Sequence, residues 1–72
     1  MPKTVKDYMD LPYTIELSFN SIDGWFAKVK ELRGCMTQAD TIEELWPAIR
    51  ESMELWLEVA LEDGDPIPLP EE

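Results

Sequence analysis

Residues 13 to 19, YTIELSF, alternate apolar and polar without a break, with Tyr13, Ile15, Leu17 and Phe19 on one side and Thr14, Glu16 and Ser18 on the other. A period of two marks a half-buried strand. Asn20-Ser21-Ile22-Asp23-Gly24 follows and ends in Asp-Gly, whose glycine supplies the positive φ that hairpin turns require. The pattern then predicts a second strand from Trp25 to about Lys30, with Trp25, Ala27 and Val29 inward and Lys28 and Lys30 outward. Phe26 falls on the outward face, so that face is not wholly polar. After Gly34, the segment Cys35 to Ala39 reads as a short third strand.

From Thr41 the period changes to that of a helix. Thr41-Ile42-Glu43-Glu44 fits a capping box, in which the threonine hydroxyl accepts from a first-turn N–H and the glutamate reaches back. The helix is expected to end near Asp63, where Gly64 can take the left-handed cap and Pro66 forbids continuation. Ile42, Leu45, Trp46, Ile49, Met53, Trp56, Leu57 and Ala60 make one wide apolar stripe suited to covering a sheet. Ala48, Ser52, Leu55 and Val59 make a second, narrower stripe beside it, spaced as in a helix–helix seam. One helix on one small sheet has no need of it. Pro47 is the misfit: it lacks an N–H and crowds the preceding turn, which costs about 3 kcal/mol in a helix interior. Either a kink or a separate first turn is expected there. The closing DPIPLPEE reads as a tail or an edge strand, and residues 1 to 12 show apolar content without a clear period.

Sixteen acidic residues against six basic ones, with no histidine, give a net charge of −10. Such a surface repels bare nucleic acid and draws basic proteins, although acidity also serves simple solubility. Seventy-two residues make one domain. A chain of this size buries only about 60% of its unfolded surface, so a partner or a second copy is expected to help stabilise it. The single cysteine cannot form an internal disulfide, no secretory leader pattern opens the chain, and the apolar run Leu55-Trp56-Leu57 stops at Glu58. A cytoplasmic location is expected.

The same inventory argues against an enzyme. Cys35 has no histidine to make it a thiolate nucleophile, and one cysteine without histidine cannot supply a zinc shell. Asp63-Gly64-Asp65 lacks the further oxygen ligands of a calcium loop and is better read as a helix stop. The carboxylates Glu43, Glu44, Glu51, Glu54, Glu58 and Glu62 lie along one helix face rather than converging on a point. No catalytic residue, metal site or cofactor is expected.

Three segments in order, DYMDLPYTIELSF, DGWFAKVKELRGCMTQADTIEEL and ESMELWLEVALEDGDPIPLP, resemble the HicB family of antitoxins. The likeness rests on Gly24-Trp25-Phe26, Glu31-Leu32, Gly34-Cys35, Thr41, Glu44 and Ile67-Pro68, and it runs through nearly the whole chain. It implies an α+β fold with a β-β-β-α core and a short final strand, similar to a partial ribonuclease H fold. It also implies a role: masking HicA, a small basic mRNA-cleaving toxin. Gly24, Gly34, Cys35, Thr41 and Glu44 would then be structural motif positions. Longer family members add a DNA-binding module, and no such module or direct DNA binding is expected of residues 1–72. Two positions depart from the family pattern: Ala39 replaces a glycine, and Leu45-Trp46-Pro47 replaces an alanine-rich helix start.

Two surfaces are candidates for the toxin: the helix face of Glu51, Glu54 and Glu58, and the strand edge and loop around Asp23, Trp25 and Glu31. Ala48, Leu55 and Val59 are the expected interface of a homodimer or higher oligomer. The alternative function is a stand-alone HicB-like oligomer with no toxin.

Overall fold

The computed structural model describes residues 3–70, which form α1 (Val5–Met9), β1 (Ile15–Asn20), β2 (Gly24–Val29), β3 (Met36–Ala39) and α2 (Ile42–Asp63). The strands make one antiparallel sheet in the order β1-β2-β3. This is the expected α+β, β-β-β-α arrangement, preceded by a short helix that the sequence pattern did not reveal. Thr4 and Asp7 cap α1 reciprocally: the Thr4 hydroxyl accepts from the Asp7 N–H at 3.2 Å, and the Asp7 carboxylate accepts from the Thr4 N–H at 3.2 Å. The Lys3 N–H, which donates to the Asp7 carboxylate at 3.1 Å, and then the Thr4 N–H favour its charged form and hold the Asp7 carboxyl below its usual range.

The hairpin between β1 and β2 is set at its tip by Asn20, whose side-chain oxygen accepts from the N–H groups of Ile22 at 2.7 Å and Asp23 at 3.4 Å. This local turn lets Asn20 pair with Gly24, and the register then places Leu17 opposite Ala27 and Phe19 opposite Trp25. Gly24 is needed twice. Its φ is +85°, and a β-carbon there would stand 2.8 Å from the carbonyl oxygen of Ala39 on the neighbouring strand.

The long helix lies over β2 and β3 on one face of the sheet, and α1 packs against it. Leu45, Ile49, Met53 and Leu57 meet Ala27, Val29, Leu32, Cys35 and Tyr13 in a single core. Leu32, Leu45, Ile49 and Leu57 are fully buried, each stabilising the fold by about 1.5–3 kcal/mol on the transfer scale. Val5, Tyr8, Met9 and Leu11 close the core from α1 and the turn after it.

Several expectations need correction. The first strand begins at Ile15 rather than Tyr13, and only its first inward positions are covered. Leu17 and Phe19 point to the helix side yet remain 40% and 60% exposed, because α2 lies over β2 and β3 rather than over β1. Trp46, expected on the covering stripe, is 46% exposed. Cys35 precedes the third strand, which starts at Met36. Of the two expectations for Pro47, the separate first turn does not form: α2 runs unbroken from Ile42 to Asp63. Pro47 and Glu43 are both exposed, so water can reach the carbonyl that loses its partner. The final strand implied by the family likeness does not form among the described residues. Residues 65 to 70 have no regular secondary structure and pair in no sheet, and they are held where the Tyr13 hydroxyl donates to the Pro68 carbonyl at 2.8 Å.

The three motif and cap glycines separate two costs. Gly64 ends α2 at φ 72° with open space around it, so Gly64→Ala should cost about 1 kcal/mol for the left-handed backbone alone. Gly24→Ala adds the collision with Ala39 and should cost clearly more, a difference that paired urea denaturation curves would show as a lower midpoint. Ile49→Ala should cost about 2–5 kcal/mol, enough to leave so small a domain largely unfolded.

Candidate protein-binding surfaces

The segment from Lys30 to Cys35 is a structural junction. Leu32 is fully buried, and its carbonyl accepts from the Cys35 N–H at 3.0 Å, while the Cys35 carbonyl accepts from the Val29 N–H at 3.0 Å. Gly34, at φ +82°, makes that reversal possible. The Cys35 side chain is buried in the core, and burial pushes its thiol above the ordinary value. It is a packing residue with its thiolate disfavoured, the reverse of an activated nucleophile.

Glu31 is committed within the chain. One carboxylate oxygen accepts from the Thr14 N–H at 2.9 Å and the other from the Thr14 hydroxyl at 3.1 Å, which ties the junction to the entry of β1. Trp56 ties it to the helix, since its indole N–H donates to the Arg33 carbonyl at 2.8 Å. The periodicity placed Trp56 in the core stripe, and nothing in the sequence signalled this polar bond.

The two surfaces expected to bind a partner fare differently. Asp23 and Trp25 sit at the hairpin end of β2, and Glu31 lies beyond its other end, about 20 Å away at the usual strand rise. The structure does not bring them together. Trp25 is also half-buried against the core, with its ring 5.1 Å from that of Phe19 at 56°. What the hairpin end does expose is apolar: Ile22 at the tip is 90% exposed and Phe19 lies beside it.

The helix residues, by contrast, converge. Glu51, Glu54 and Glu58 line one open groove together with Ala48, Ser52 and Leu55, and Thr37 of β3 forms its other wall. Two sets that the sequence treated as separate, an acidic face and an apolar seam, thus share one surface. Leu55 is 62% exposed at its centre. Val59 lies one turn further on, in a neighbouring depression with Trp56 and Pro66. On the far side of the sheet, Glu16, Phe26 and Lys28 form a second shallow surface, where Lys28 and Glu16 pair across the strands at 3.8 Å. That exposed ion pair contributes little stability.

No group of three or more acidic, cysteine or histidine side chains among the described residues is arranged to hold a metal ion. No helix among them is long and apolar enough to cross a membrane.

The model of the HicB-like antitoxins of bacterial toxin–antitoxin systems matches residues 12–72. The chain belongs to this family. A UPF0150 protein of Archaeoglobus fulgidus is 46% identical over 46 residues, covering 60% of this HicB-like chain and 67% of the relative. A UPF0150 protein of Synechocystis sp. is 36% identical over 56 residues, covering 78% of this chain and 71% of the relative. No solved structure matches it significantly. Within this HicB-like domain, Gly24 and Gly34 carry positive φ, Cys35 fills the core, and the Thr41 hydroxyl accepts from the Glu44 N–H at 3.2 Å to start α2. Each has a structural task. The match begins after α1, so the short N-terminal helix lies outside the matched residues.

Burial of Cys35 has a measurable consequence. Because its folded thiol titrates above 9.0, the neutral form stabilises the fold fully below that pH, and the advantage fades as pH rises past it. Tyr13, raised from 10.0 chiefly by burial, acts in the same sense at higher pH. The melting temperature should therefore fall on going from pH 8 to pH 10.5. A thiol reagent at pH 8 should label Cys35 only after denaturation, and rapid labelling of the folded chain would contradict this account.

Proposed function

We propose that this HicB-like chain is an antitoxin that neutralises a basic, HicA-type mRNA interferase by covering its RNA-binding surface. The observation that carries the proposal is the groove in which Glu51, Glu54 and Glu58 surround exposed Leu55 with no basic residue among its lining. A ribonuclease that grips RNA through lysine and arginine presents the complementary charge. Acidic residues around an apolar centre give both attraction at a distance and water exclusion on contact. The family membership supplies the kind of partner, and the net charge of −10 agrees with it. The chain's part is to bind and mask, with no hydrolytic step of its own.

The competing reading is self-association through the same helix flank, favoured by the exposure of Leu55 and of Val59 at 47%. Salt separates the two. Joining two acidic grooves brings like charges together, so self-association strengthens as salt screens them, whereas association with a basic toxin weakens.

The test is to co-express the chain with a small basic protein encoded beside it and to measure association rate against ionic strength. Glu51→Lys, Glu54→Lys and Glu58→Lys combined should slow association by about tenfold or more at low salt and flatten the salt dependence. An unchanged rate in this variant would remove the electrostatic argument, and failure of any such protein to bind would remove the antitoxin. Light scattering at micromolar concentration checks the second reading: a monomer mass unchanged between 50 mM and 500 mM salt and on Leu55→Glu excludes it. The chain alone should not cleave RNA with or without magnesium, and cleavage abolished by a carboxylate-to-alanine change would show otherwise.

A further inference from the structure

Thr37 of β3 lines the acidic groove, β3 is an edge strand among the described residues, and the hydrogen-bond pattern of the sheet shows which of its backbone groups face outward. In an antiparallel pair, bonded and non-bonded positions alternate. The Val29 N–H donates to the Cys35 carbonyl, and the register continues from there through Ala27 with Thr37 and Trp25 with Ala39. Thr37 and Ala39 therefore face β2 with their backbone groups. Those of Met36 and Gln38 point away from the sheet.

Sheet edges are ordinarily protected by charge, proline, a bulge or a covering segment. Met36, Thr37, Gln38 and Ala39 contain no charge and no proline, they pair with β2 in unbroken register, and among the described residues no element pairs on their outer side. The opposite edge differs. Beside the start of β1, the C-terminal segment is held by the bond from the Tyr13 hydroxyl to Pro68, and Ile67 packs on the core.

We infer that the β3 edge takes an added antiparallel or parallel strand from a basic protein partner, so that recognition runs through the backbone of Met36 and Gln38 as well as through the glutamates. This rests on the antitoxin reading and specifies how the partner is held. A strand added beside β3 would send alternate side chains toward α2, the face on which Thr37 already lies against the groove. Those side chains meet Ala48 and Leu55 as an apolar floor and Glu51, Glu54 and Glu58 as a rim. The fitting occupant is thus an extended segment with apolar residues alternating with others and with lysine or arginine near its ends. A second copy of this chain is a poor occupant, because pairing β3 with itself opposes two glutamate-lined grooves that have no cation between them.

The test has two arms. In the first, amide hydrogen exchange of the full chain is followed with and without a basic HicA-type toxin. The Met36 and Gln38 amides should exchange rapidly when free and become at least about tenfold slower in the complex, while the Thr37 and Ala39 amides are protected in both. Gln38→Pro removes the outward N–H at an edge position where proline is tolerated and should weaken toxin binding by about tenfold or more. Gln38→Ala, which keeps the N–H, should not. If Gln38→Pro fails to fold by circular dichroism, the exchange measurement on the unaltered chain decides. A toxin that binds while the Met36 and Gln38 amides still exchange freely overturns strand addition and leaves the antitoxin intact.

The second arm needs no toxin. A blocked Lys-Val-Lys-Val-Lys-Val-Lys peptide should protect the same two amides in a salt-sensitive manner, and its Glu-for-Lys counterpart should not. If the toxin fails to bind but the basic peptide protects the edge, the antitoxin reading falls and the strand-accepting edge stands. Protection of those amides in the chain alone, with a dimer mass, would assign the edge to a second copy and overturn the inference. So would the absence of any protection by the basic peptide.

Discussion

Everything in this molecule is arranged around the contact between the Leu45, Ile49, Met53 and Leu57 stripe of α2 and the Ala27 and Val29 face of β2. Those six side chains are nearly or wholly removed from water, and they are the residues through which a single helix holds a three-stranded sheet. A helix is about 10 Å across and covers roughly two strands spaced 4.8 Å apart. Once α2 is seated over β2 and β3, β1 must lie outside its footprint. The exposure of Leu17 and Phe19 follows from that geometry, and so does the half-burial of Trp25 between them and the core.

The same placement makes the groove. Because the stripe is centred on Ile49 and Met53, the neighbouring flank of Ala48, Ser52 and Leu55 is turned toward the open side of β3 rather than toward solvent at large. The glutamates beside it become the rim of a concave surface. On an isolated helix they would be a solvated face of little consequence. Set against a strand edge, they surround an apolar floor, and the combination of apolar centre, acidic rim and available backbone fits an extended basic segment.

Rigidity is supplied elsewhere. The Lys30 to Cys35 junction joins β1 through Glu31 and Thr14, the helix through Trp56 and Arg33, and the core through Leu32 and Cys35. These bonds lie within or close beside the family's Glu-Leu…Gly-Cys motif, which accounts for its residues by structure without assigning them a partner. Glu31 is a clear instance: an acidic residue with the appearance of a docking contact is occupied in holding the start of a strand.

The local periods were sufficient to read three strands, one long helix, its threonine start and its glycine stop, because each depends on contacts within a few residues. The buried role of Cys35 was equally legible, since a chain without histidine leaves a lone cysteine little else to do. What the sequence could not contain was the lateral position of α2 on the sheet. A one-dimensional pattern states that Leu17, Phe19 and Trp46 belong to apolar faces, but only the finite width of the helix decides which of them are covered. Nor could it show that the acidic and apolar flanks meet at one groove, that Asp23 and Glu31 stand at opposite ends of a strand, or that Thr4 and Asp7 start a short helix against the core. Each of those is a relation between elements distant in sequence, or depends on a tertiary contact that a five-residue helix requires to form at all. The composition set the charge, and the tertiary structure decided where that charge encloses a surface.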